Sequence, residues 1–284
     1  MKTDLHIHTK TGSDGALPIR EVFAEAKNRG IEFISITDHD NIEQQGLAME
    51  LAAAQDMRYI TGVELNVNFS YGNTSASLDF LAYKYDYHDP ALIKKLQVIR
   101  DYRKKRARQI FDNLNREFAK ENRTLMTEDD LIKMQMGADG VLSRPHVADF
   151  LINKEVVSSR QEAFDKYLVR CDVPNYPLTL DEASALVRGA GGLIVLAHPN
   201  DPNGTSLVSI TTNLEEQTRI IERFMLDYID GIECWHSRCD NETTEHYKKF
   251  CRAHNLIMTG GSDCHQRPII MGTVDINENL LKYL

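Results

Sequence analysis

The 284-residue sequence contains no long hydrophobic run and no excess of basic residues. No apolar stretch approaches the roughly 20 residues of a membrane-spanning helix, and the opening MKTDLHIH lacks the apolar core of a signal peptide. The formal net charge is −9, so no global positive field attracts nucleic acid, although a local basic patch is compatible with that balance. These absences predict a cytoplasmic protein without a membrane partner.

Cysteine and the common hydrolase motifs are also scarce or absent. The five cysteines are odd in number and form no CxxC pair, which favours reduced thiols that pack as small side chains. The sequence has neither the GxSxG motif of a serine hydrolase nor the GxxxxGK[ST] motif of a P-loop. Neither of these two kinds of active site is therefore predicted.

The sequence does contain a regular alternation of short apolar strands and amphipathic helices. LHIH and IEFISI are predicted strands, and between them Pro18 opens a helix that Gly30 ends. The alternation continues to about residue 87 and returns after residue 180, with seven predicted strands in total. This pattern predicts an α/β fold with a parallel sheet or barrel.

The signals between residues 88 and 180 are helical only. A long helix is predicted from Asp89 to about Lys120, with the basic run RDYRKKRAR at 100–108, and TEDDL begins a further helix. We therefore predict two domains, an α/β domain formed by residues 1–87 and 181–284 and a helical insertion over residues 88–180.

Ionisable side chains lie at the ends of the predicted strands. His6 and His8 are two residues apart, so on a strand they point to the same face. One such pair also occurs on ordinary wet edge strands, but here the pattern recurs at the other strands. The C-terminal ends of barrel strands meet at one mouth, which would bring these side chains together. The strand-end candidates are His6, His8, His39, Glu64, Asp79, His198, Glu233, His236, Asp263 and His265, and Asp14 follows the first strand.

The mixture of imidazole and carboxylate groups indicates a transition-metal site. Calcium prefers ligands that are all oxygen, whereas Zn²⁺, Mn²⁺ and Fe²⁺ accept both nitrogen and oxygen. More than eight candidate ligands exceed what one ion can use. We therefore predict two or three divalent ions of manganese, zinc or iron, with Glu64 or Asp263 as bridging ligands.

The order of these motifs resembles a known family. HxH near the N-terminus, TDH, GVE, AHP and GSDxH are similar to the motifs of the polymerase and histidinol phosphatase (PHP) family of metal-dependent phosphoesterases. The segment SRPHVADFL (143–151) resembles the RPH element of the small nucleotide-directed members. The resemblance implies a distorted (β/α)7 barrel with a helical insertion.

The resemblance also implies how the ligands divide among three ions. One position departs from the family pattern, because Asp79 in DFLAY stands where similar members often carry histidine in HLLGY. Asp38 and Asp40 are expected to orient imidazole N–H groups rather than to bind metal. The implied sets are His6, His8, Glu64 and Asp263 for the first ion, Glu64, His198 and Asp79 for the second, and Asp14, His39 and His265 for the third.

Two residues of the insertion are expected to contact the substrate. By resemblance Arg144 and His146 face the site, where the arginine can hold a phosphate bidentately and the histidine can bind phosphate or protonate the leaving oxygen. An alternative is that residues 143–145 only begin a helix, with Ser143 as the cap. The two interpretations are compatible.

The other candidates for substrate contact are less specific. In ECWHSRC, Trp235 could stack on a base or belong to the core, and His236 or Arg238 could contact phosphate. The basic run at 100–108 is more typical of a solvated helix face than of a phosphate site.

Together these features predict a metal-dependent phosphoesterase. Clustered ions lower the pKa of a bound water and neutralise charge on the phosphoryl oxygens. The expected substrates are small phosphorylated molecules, either nucleoside mono- or bisphosphates or short 5′-phosphorylated RNA or DNA ends. The alternatives are a histidinol-phosphatase-like enzyme and an inactive metal-binding regulatory module, and nucleic-acid binding without chemistry fits the acidic balance least.

Overall fold

The structure is a computed structural model that describes residues 1–72, 74–137, 144–203, 205–277, 279–280 and 284, with the backbone alone at 135–137, 145 and 146. The chain divides into two units. The first unit is Met1–Leu96 with Pro177–Leu284, and the second, here the insertion unit, is Gln97–Tyr176. The dividing point on the N-terminal side therefore falls inside the long helix. Among the described helices, none is both long and apolar enough to span a bilayer.

The first unit contains two sheets. The smaller sheet is parallel, with strand order β1-β2-β3, and the larger has the order β4-β5-β6-β7-β8. In the larger sheet β5 runs antiparallel to β4 and β6, whereas β6, β7 and β8 are parallel. The strands are β1 (Thr3–Asp4), β2 (Phe33–Ile34), β3 (Arg58–Tyr59), β4 (Gly62–Tyr71), β5 (Thr74–Tyr83), β6 (Leu193–Leu196), β7 (Gly231–His236) and β8 (Ile257–Gly261).

Helices follow most of the strands. The first unit and the long helix contain α1 (Ile19–Asn28), α2 (Gln45–Ala53), α3 (Pro90–Lys120), α7 (Leu180–Gly189), α8 (Leu214–Phe224) and α9 (Asn241–His254), with a 3₁₀ turn at Leu207–Ser209. The insertion unit contains α4 (Glu128–Gly137), α5 (Arg144–Asn153), α6 (Arg160–Ala163) and a π-helical turn at Phe164–Leu168.

The α/β class is confirmed, and β3 and β4 together follow the path of one interrupted strand, so the described strands follow the seven predicted paths. They are assigned to two sheets, and a closed barrel is not confirmed. Backbone hydrogen bonds nevertheless join the sheets at two edges. Asp263 N donates to His6 O at 2.8 Å beside β8, and Asp40 N donates to Glu64 O at 2.9 Å beside β4. These edges carry most of the candidate ligands.

The strand directions differ from the prediction at β5. The sequence predicts a parallel sheet, but β4 and β5 form a long antiparallel hairpin whose turn includes Gly72, with φ of +56°. A positive φ suits glycine because it has no Cβ. Alternating apolar and polar residues carry no information about strand direction, and this explains the difference.

Gly261 serves close strand packing. Gly260 and Gly261 both lie within β8. A Cβ atom on Gly261 would lie 2.4 Å from His6 Cβ and from the His6 backbone nitrogen. Glycine is thus required for the first strand to approach β8, which places His6 beside the ligands that follow β8.

Each unit has its own apolar core. In the first unit, α1 buries Ile19, Val22, Phe23 and Ala26, which are spaced i, i+3, i+4 and i+7 as predicted. In the insertion unit, a separate cluster includes Ile110, Leu114, Phe118, Leu151 and Tyr167. The first unit and the insertion unit therefore each bury apolar side chains in a core of their own.

Candidate metal centre

The nine predicted ligand side chains converge in the first unit. They form three overlapping groups among the described residues, and within each group the ligand atoms lie within 4.8 Å of one another. Glu64 and His8 each belong to two groups, so neighbouring groups share side chains. The groups are His6, His8, Glu64 and Asp263; Glu64, Asp79 and His198; and His8, Asp14, His39 and His265.

The two histidines of the first strand direct their Nε2 atoms at each other. These atoms are 3.1 Å apart, and both rings are buried. His6 Nδ1 lies 3.1 Å from the Glu233 carboxylate, and His8 Nδ1 lies 3.3 Å from the Ser13 hydroxyl. When each Nδ1 carries the proton, both Nε2 atoms are acceptors with facing lone pairs. Such a pair is stabilised either by a metal ion or by a proton on one of the two rings.

Glu64, on β4, faces two of the groups with its two oxygens. Its Oε1 lies 3.1 Å from His198 Nε2. Its Oε2 lies 3.3 Å from His6 Nε2, 3.0 Å from His8 Nε2 and 3.2 Å from His39 Nδ1. Within the described part of the chain this buried Oε2 accepts no hydrogen bond. A buried carboxylate oxygen is costly unless something positive compensates it, so Glu64 is suited to bridge two ions.

Two aspartates repeat this arrangement. Asp263 Oδ1 lies 3.3 Å from His6 Nε2, 3.4 Å from His8 Nε2 and 3.1 Å from His265 Nδ1. Asp14 Oδ1 lies 3.3 Å from His265 Nε2 and 3.9 Å from His8 Nδ1. Both oxygens are buried and lack a hydrogen-bond donor among the residues described.

These spacings fit ligands that share a metal ion. Ligands at roughly 2.1 Å from one ion and about 90° apart lie about 3.0 Å from each other, and tetrahedral ligands lie about 3.4 Å apart. The carboxylate–imidazole distances around Glu64 and Asp263 run from 3.0 to 3.4 Å. At these distances Glu64 Oε2 and Asp263 Oδ1 accept no hydrogen bond from the described residues. The residues present therefore fit divalent transition-metal ions.

The histidines respond to burial and to the surrounding carboxylates in different ways. Burial disfavours the imidazolium of His6, but Glu233 and other carboxylates outweigh it and raise its pKa well above the ordinary value. At His198 burial is likewise outweighed, mainly by Glu64, and the pKa is raised to about 9. At His39 burial prevails and lowers the pKa to about 4.

The carboxylates are held in the ionised form. Burial raises the pKa of Glu64, Asp263 and Asp14, but the adjacent imidazolium groups lower each pKa well below the ordinary value. Ionised carboxylates and protonated imidazoles compensate each other when no metal is bound. A cluster of this kind takes up metal in exchange for protons.

Glu233 supports the ligands without belonging to any of the three groups. It is fully buried on β7, beside His6 Nδ1, and its Oε2 accepts a hydrogen bond from the backbone N–H of His198 at 2.8 Å. Carboxylates in this position fix the tautomer and orientation of metal-binding imidazoles. The strand-end pattern identified Glu233 as a candidate, and its contacts give it this supporting position.

Asp38 reaches the cluster through an intermediate side chain. Its carboxylate accepts hydrogen bonds from Thr9 Oγ1 at 2.8 Å and from Ser13 Oγ at 2.7 Å. Because Ser13 Oγ also lies beside His8 Nδ1, Asp38 orients His8 indirectly. Ser13 escaped the sequence analysis, since a serine in a turn gives no signal of a partner that lies far along the chain. Asp40 contributes its backbone N–H to β4.

Asp79 has a different neighbour from the other ligand candidates. It is directly opposite Asn66 in the β4–β5 hairpin, and Asn66 Nδ2 donates to Asp79 Oδ1 at 2.6 Å. Its Oδ2 lies 3.9 Å from His198 Nε2. Asn66 follows Glu64 by two residues on the same strand face, a spacing that could have identified it.

Three residues at the end of β7 and just after it have contacts that limit the roles they can have. Trp235 is 4% exposed, and Lys248 Nζ lies 5.2 Å from its ring centroid, so the indole belongs to the core and is covered on that side. His236 is buried with Nε2 3.4 Å from Asp263 Oδ2. Arg238 donates to Asp201 and to Asp263. His236 also forms a fourth candidate group with Asp201 and Asp263.

Arg144, in the insertion unit, is paired with an acidic residue. Its Nη1 lies 2.7 Å from Asp172 Oδ2, and its guanidinium carbon lies 5.8 Å from the centroid of the Phe164 ring. The side chain of His146 and the whole of Ser143 lie outside the described residues. The contacts of Arg144 therefore fit a helix start, while its role toward a substrate stays a prediction.

The basic run at 100–108 is mostly solvated, with one exception. Arg108 is exposed and pairs with Asp112 and Glu128. Arg106 is buried, and it donates to Asp172 Oδ1 at 2.6 Å and to the carbonyl of Val173. Arg106 thus joins the long helix α3 to the segment at residues 172–173 of the insertion unit.

Backbone strain marks two of the ligand candidates. His198 has φ of +24° and Asp263 has φ of +53°, which lie in the left-handed region that residues with a Cβ rarely adopt. Such conformations persist where the surroundings determine them strongly, and they concentrate at functional sites.

Comparisons with known proteins agree with this geometry. The sequence profile of the PHP domain matches residues 4–271. A 3′,5′-nucleoside bisphosphate phosphatase of Chromobacterium violaceum is 29% identical over 92% of this chain and 86% of its own, and a 5′-3′ exoribonuclease of Haemophilus influenzae is 26% identical over 98% and 94%. A solved structure from Bifidobacterium adolescentis, assigned as a metal-dependent phosphoesterase, superposes with a TM-score of 0.79 at 26% identity over 99% and 94% of the two chains.

Proposed function

Because the chain belongs to the PHP domain family and is a phosphoric ester hydrolase, we propose that it removes phosphate from nucleotides at a centre of two or three divalent ions. The expected substrates are nucleoside mono- or bisphosphates and short 5′-phosphorylated oligonucleotides. The observation that carries this proposal is the set of buried carboxylate oxygens on Glu64, Asp263 and Asp14, each surrounded by imidazole nitrogens and none accepting a hydrogen bond in the described residues.

The residues of the chain would divide the work as follows. Transition-metal ions, when bound, activate a water and neutralise charge on the phosphoryl oxygens. Glu64 would hold two ions at a fixed separation through its two oxygens. Glu233 and Ser13 would keep the Nδ1 protons of His6 and His8 in place, so that both Nε2 atoms face the ions.

The metal itself is proposed from the ligand chemistry. Sites rich in imidazole and carboxylate suit Mn²⁺, Fe²⁺ or Zn²⁺. The second group contains two carboxylates and one imidazole, Glu64, Asp79 and His198. This group is harder and more negative than one with a second histidine, which favours manganese or iron over zinc at that position.

The names of similar proteins support a nucleotide substrate. The similar proteins include a nucleoside bisphosphate phosphatase and an exoribonuclease that works from the 5′ end. Both names imply a phosphate ester on a nucleoside. We propose Arg144, His146 and His236 as candidate phosphate contacts. The proposal for Arg144 and His146 rests only on the resemblance of SRPHVADFL to the family motif.

We also propose the finer description of the fold, in which the two sheets form an open, distorted (β/α)7 barrel. The seven strand paths and the hydrogen bonds at the two edges support it. A reducing cytoplasmic location is proposed on the cysteines, which are all unbonded thiols.

A panel of substrates tests the function. Phosphate release would be followed for AMP, adenosine 3′,5′-bisphosphate, a short 5′-phosphorylated RNA and histidinol phosphate, with Mn²⁺, Fe²⁺ and Zn²⁺ in turn. We expect activity on one of the three nucleotide substrates to exceed that on histidinol phosphate. Preferential cleavage of histidinol phosphate would indicate the amino-acid biosynthetic alternative, and metal binding without any release would indicate a regulatory module.

A further inference from the structure

The two oxygens of Asp263 face different partners. Oδ1 lies among the imidazoles of His6, His8 and His265, as described above. Oδ2 points to the other side, where Arg238 Nη2 donates to it at 2.7 Å and His236 Nε2 lies at 3.4 Å. Only one oxygen of this carboxylate is therefore directed at the metal ligands.

Arg238 is itself fixed by a buried carboxylate. Asp201 has no exposed surface, and Arg238 Nε donates to its Oδ2 at 2.8 Å. Arg238 Nη2 bridges the same Asp201 oxygen and Asp263 Oδ2, each at hydrogen-bond distance. An arginine with two contacts on one anchor is held in one orientation, which a lysine at this position would not share.

The backbone of the same segment adds a second donor. Arg238 N donates to His236 Nδ1 at 3.3 Å, which leaves the proton of that ring on Nε2, the atom that faces Asp263. One residue thus supplies a guanidinium to Asp263 and sets the tautomer of the neighbouring histidine.

We propose that Arg238 is a positioning residue of the metal centre, which occupies the outer oxygen of Asp263 so that this carboxylate meets the ions through Oδ1 alone. A free carboxylate can chelate one ion with both oxygens, and that geometry would take Oδ1 away from its place among the three imidazoles. This inference rests on the proposed function only in assuming that metal binds.

The backbone at Asp263 is consistent with this role. Asp263, which lies between the end of β8 and His265, has a φ of +53°. This backbone conformation is unfavourable for an aspartate. Strained residues persist when several contacts determine them. The hydrogen bond from Arg238 Nη2 is one of these contacts, and it holds Asp263 in place whether or not metal is bound.

The test measures metal binding without substrate. Arg238→Ala, Arg238→Lys and the exposed control Arg219→Ala would be compared with the wild type by competition for Mn²⁺ or Zn²⁺ with a chromophoric chelator, and by the visible spectrum of the Co²⁺-loaded proteins. We expect Arg238→Ala to bind metal about 10 to 100-fold more weakly and to change the Co²⁺ spectrum, because loss of a supporting contact has this size of effect. Arg238→Lys should recover part of both, and Arg219→Ala should match the wild type.

The outcomes separate positioning from other roles. Unchanged metal affinity and an unchanged Co²⁺ spectrum in Arg238→Ala would overturn the proposal. If such a variant nevertheless lost phosphate release, Arg238 would act on the substrate and not on the metal ligands. If Arg238→Ala does not fold, the double variant Asp201→Asn/Arg238→Leu removes both charges of the pair between buried Asp201 and partly exposed Arg238, and it is measured in the same way. Failure of the proposed function would instead show as a wild type that binds metal and releases no phosphate.

Discussion

His39 and Glu64 are neighbours across two parallel strand segments, and His39 Nδ1 lies 3.2 Å from Glu64 Oε2. A backbone bridge pairs the two residues, so the side-chain contact follows directly from the strand register. The TDH and GVE motifs, separated by more than twenty positions in the sequence, meet because this bridge pairs His39 with Glu64 near the start of β4. The register of the sheet therefore builds part of the metal centre.

Glu64 is expected to be the residue whose loss removes most metal. Glu64→Gln keeps the volume but removes the charge from a side chain that belongs to two ligand groups. We expect it to lose more than one equivalent of metal, and phosphate release to fall by at least about 100-fold, more than loss of a supporting contact causes. Elemental analysis of the gel-filtered protein measures the first effect. Glu50→Gln on the exposed face of α2 is the control, and retention of full metal content in Glu64→Gln would contradict the bridging role.

Removal of metal is expected to destabilise the protein. Without metal, the buried carboxylates of Glu64, Asp263 and Asp14 are compensated only by protonated imidazoles, whereas bound ions would add ligand bonds that the unfolded chain does not make. A ligand at 100 times its Kd stabilises the folded state by about 2.7 kcal/mol, which corresponds to a Tm higher by about 5 °C. Thermal unfolding in a chelator and after addition of Mn²⁺ would measure the difference. An identical Tm in both conditions would argue against a metal centre built into the fold.

Metal affinity is expected to rise with pH. The pKa of metal-free His198 is raised to about 9, since Glu64 outweighs the effect of burial, so at pH 7 this imidazole is protonated and must release its proton to bind metal. The proton competes with the ion below that pKa, and the competition disappears as pH rises through it. Titration of chelated protein with Zn²⁺ or Mn²⁺ in weak buffer with a pH indicator should show proton release at pH 7. A titration that takes up metal without releasing protons would contradict this assignment.

The ligand candidates could be proposed from the sequence because most of them follow one simple rule. Most of the candidates lie at or just beyond the end of an apolar strand, which is visible as a short run in the sequence, whereas Glu64 and Asp79 lie within β4 and β5. The direction of β5 could not be predicted, since an apolar run is the same in both directions. The helical character of the insertion followed from its length and its lack of strand signals.

The residues around the ligands could not be predicted in the same way. Ser13 and Arg238 contact partners that come from distant segments of the chain. No spacing rule connects such partners, because their proximity depends on the folded register. Glu233 was visible as a strand-end carboxylate, but only its contact with His6 Nδ1 shows that it supports a ligand.

Asp79 is expected to tolerate histidine better than alanine. It lies in the group with Glu64 and His198, at a position where the resemblance to the family implies histidine. Asp79→Ala removes a ligand and should lower activity by orders of magnitude, whereas Asp79→His supplies a nitrogen ligand and should retain a measurable part. The two variants would be compared by kcat/KM and by metal content, with Asn66→Ala as a variant that loses the hydrogen bonds of Asn66 to Asp79 and Ser77 but keeps the Asp79 carboxylate. Wild-type behaviour of Asp79→Ala would show that the residue is not a ligand.

Arg144 is expected to affect substrate binding without affecting metal. Its pair with Asp172 is part exposed, so breaking it changes stability by at most about 1 kcal/mol. If Arg144 holds a phosphate, as the resemblance implies, Arg144→Ala removes a charge-assisted hydrogen bond worth roughly 1.5–3 kcal/mol, or about one to two decades in kcat/KM.

The choice of substrate makes this prediction about Arg144 specific. The loss should be larger for nucleotide substrates than for a simple aryl phosphate, because the aryl ester offers no second group for an arginine to hold. Arg160→Ala, which breaks a comparable part-exposed pair with Asp149 in the same unit, is the matched control and should leave both rates unchanged. Elemental analysis completes the comparison. If Arg144→Ala lowers both substrate classes equally, or loses metal, then Arg144 serves the fold or the metal centre, and substrate choice depends on other residues.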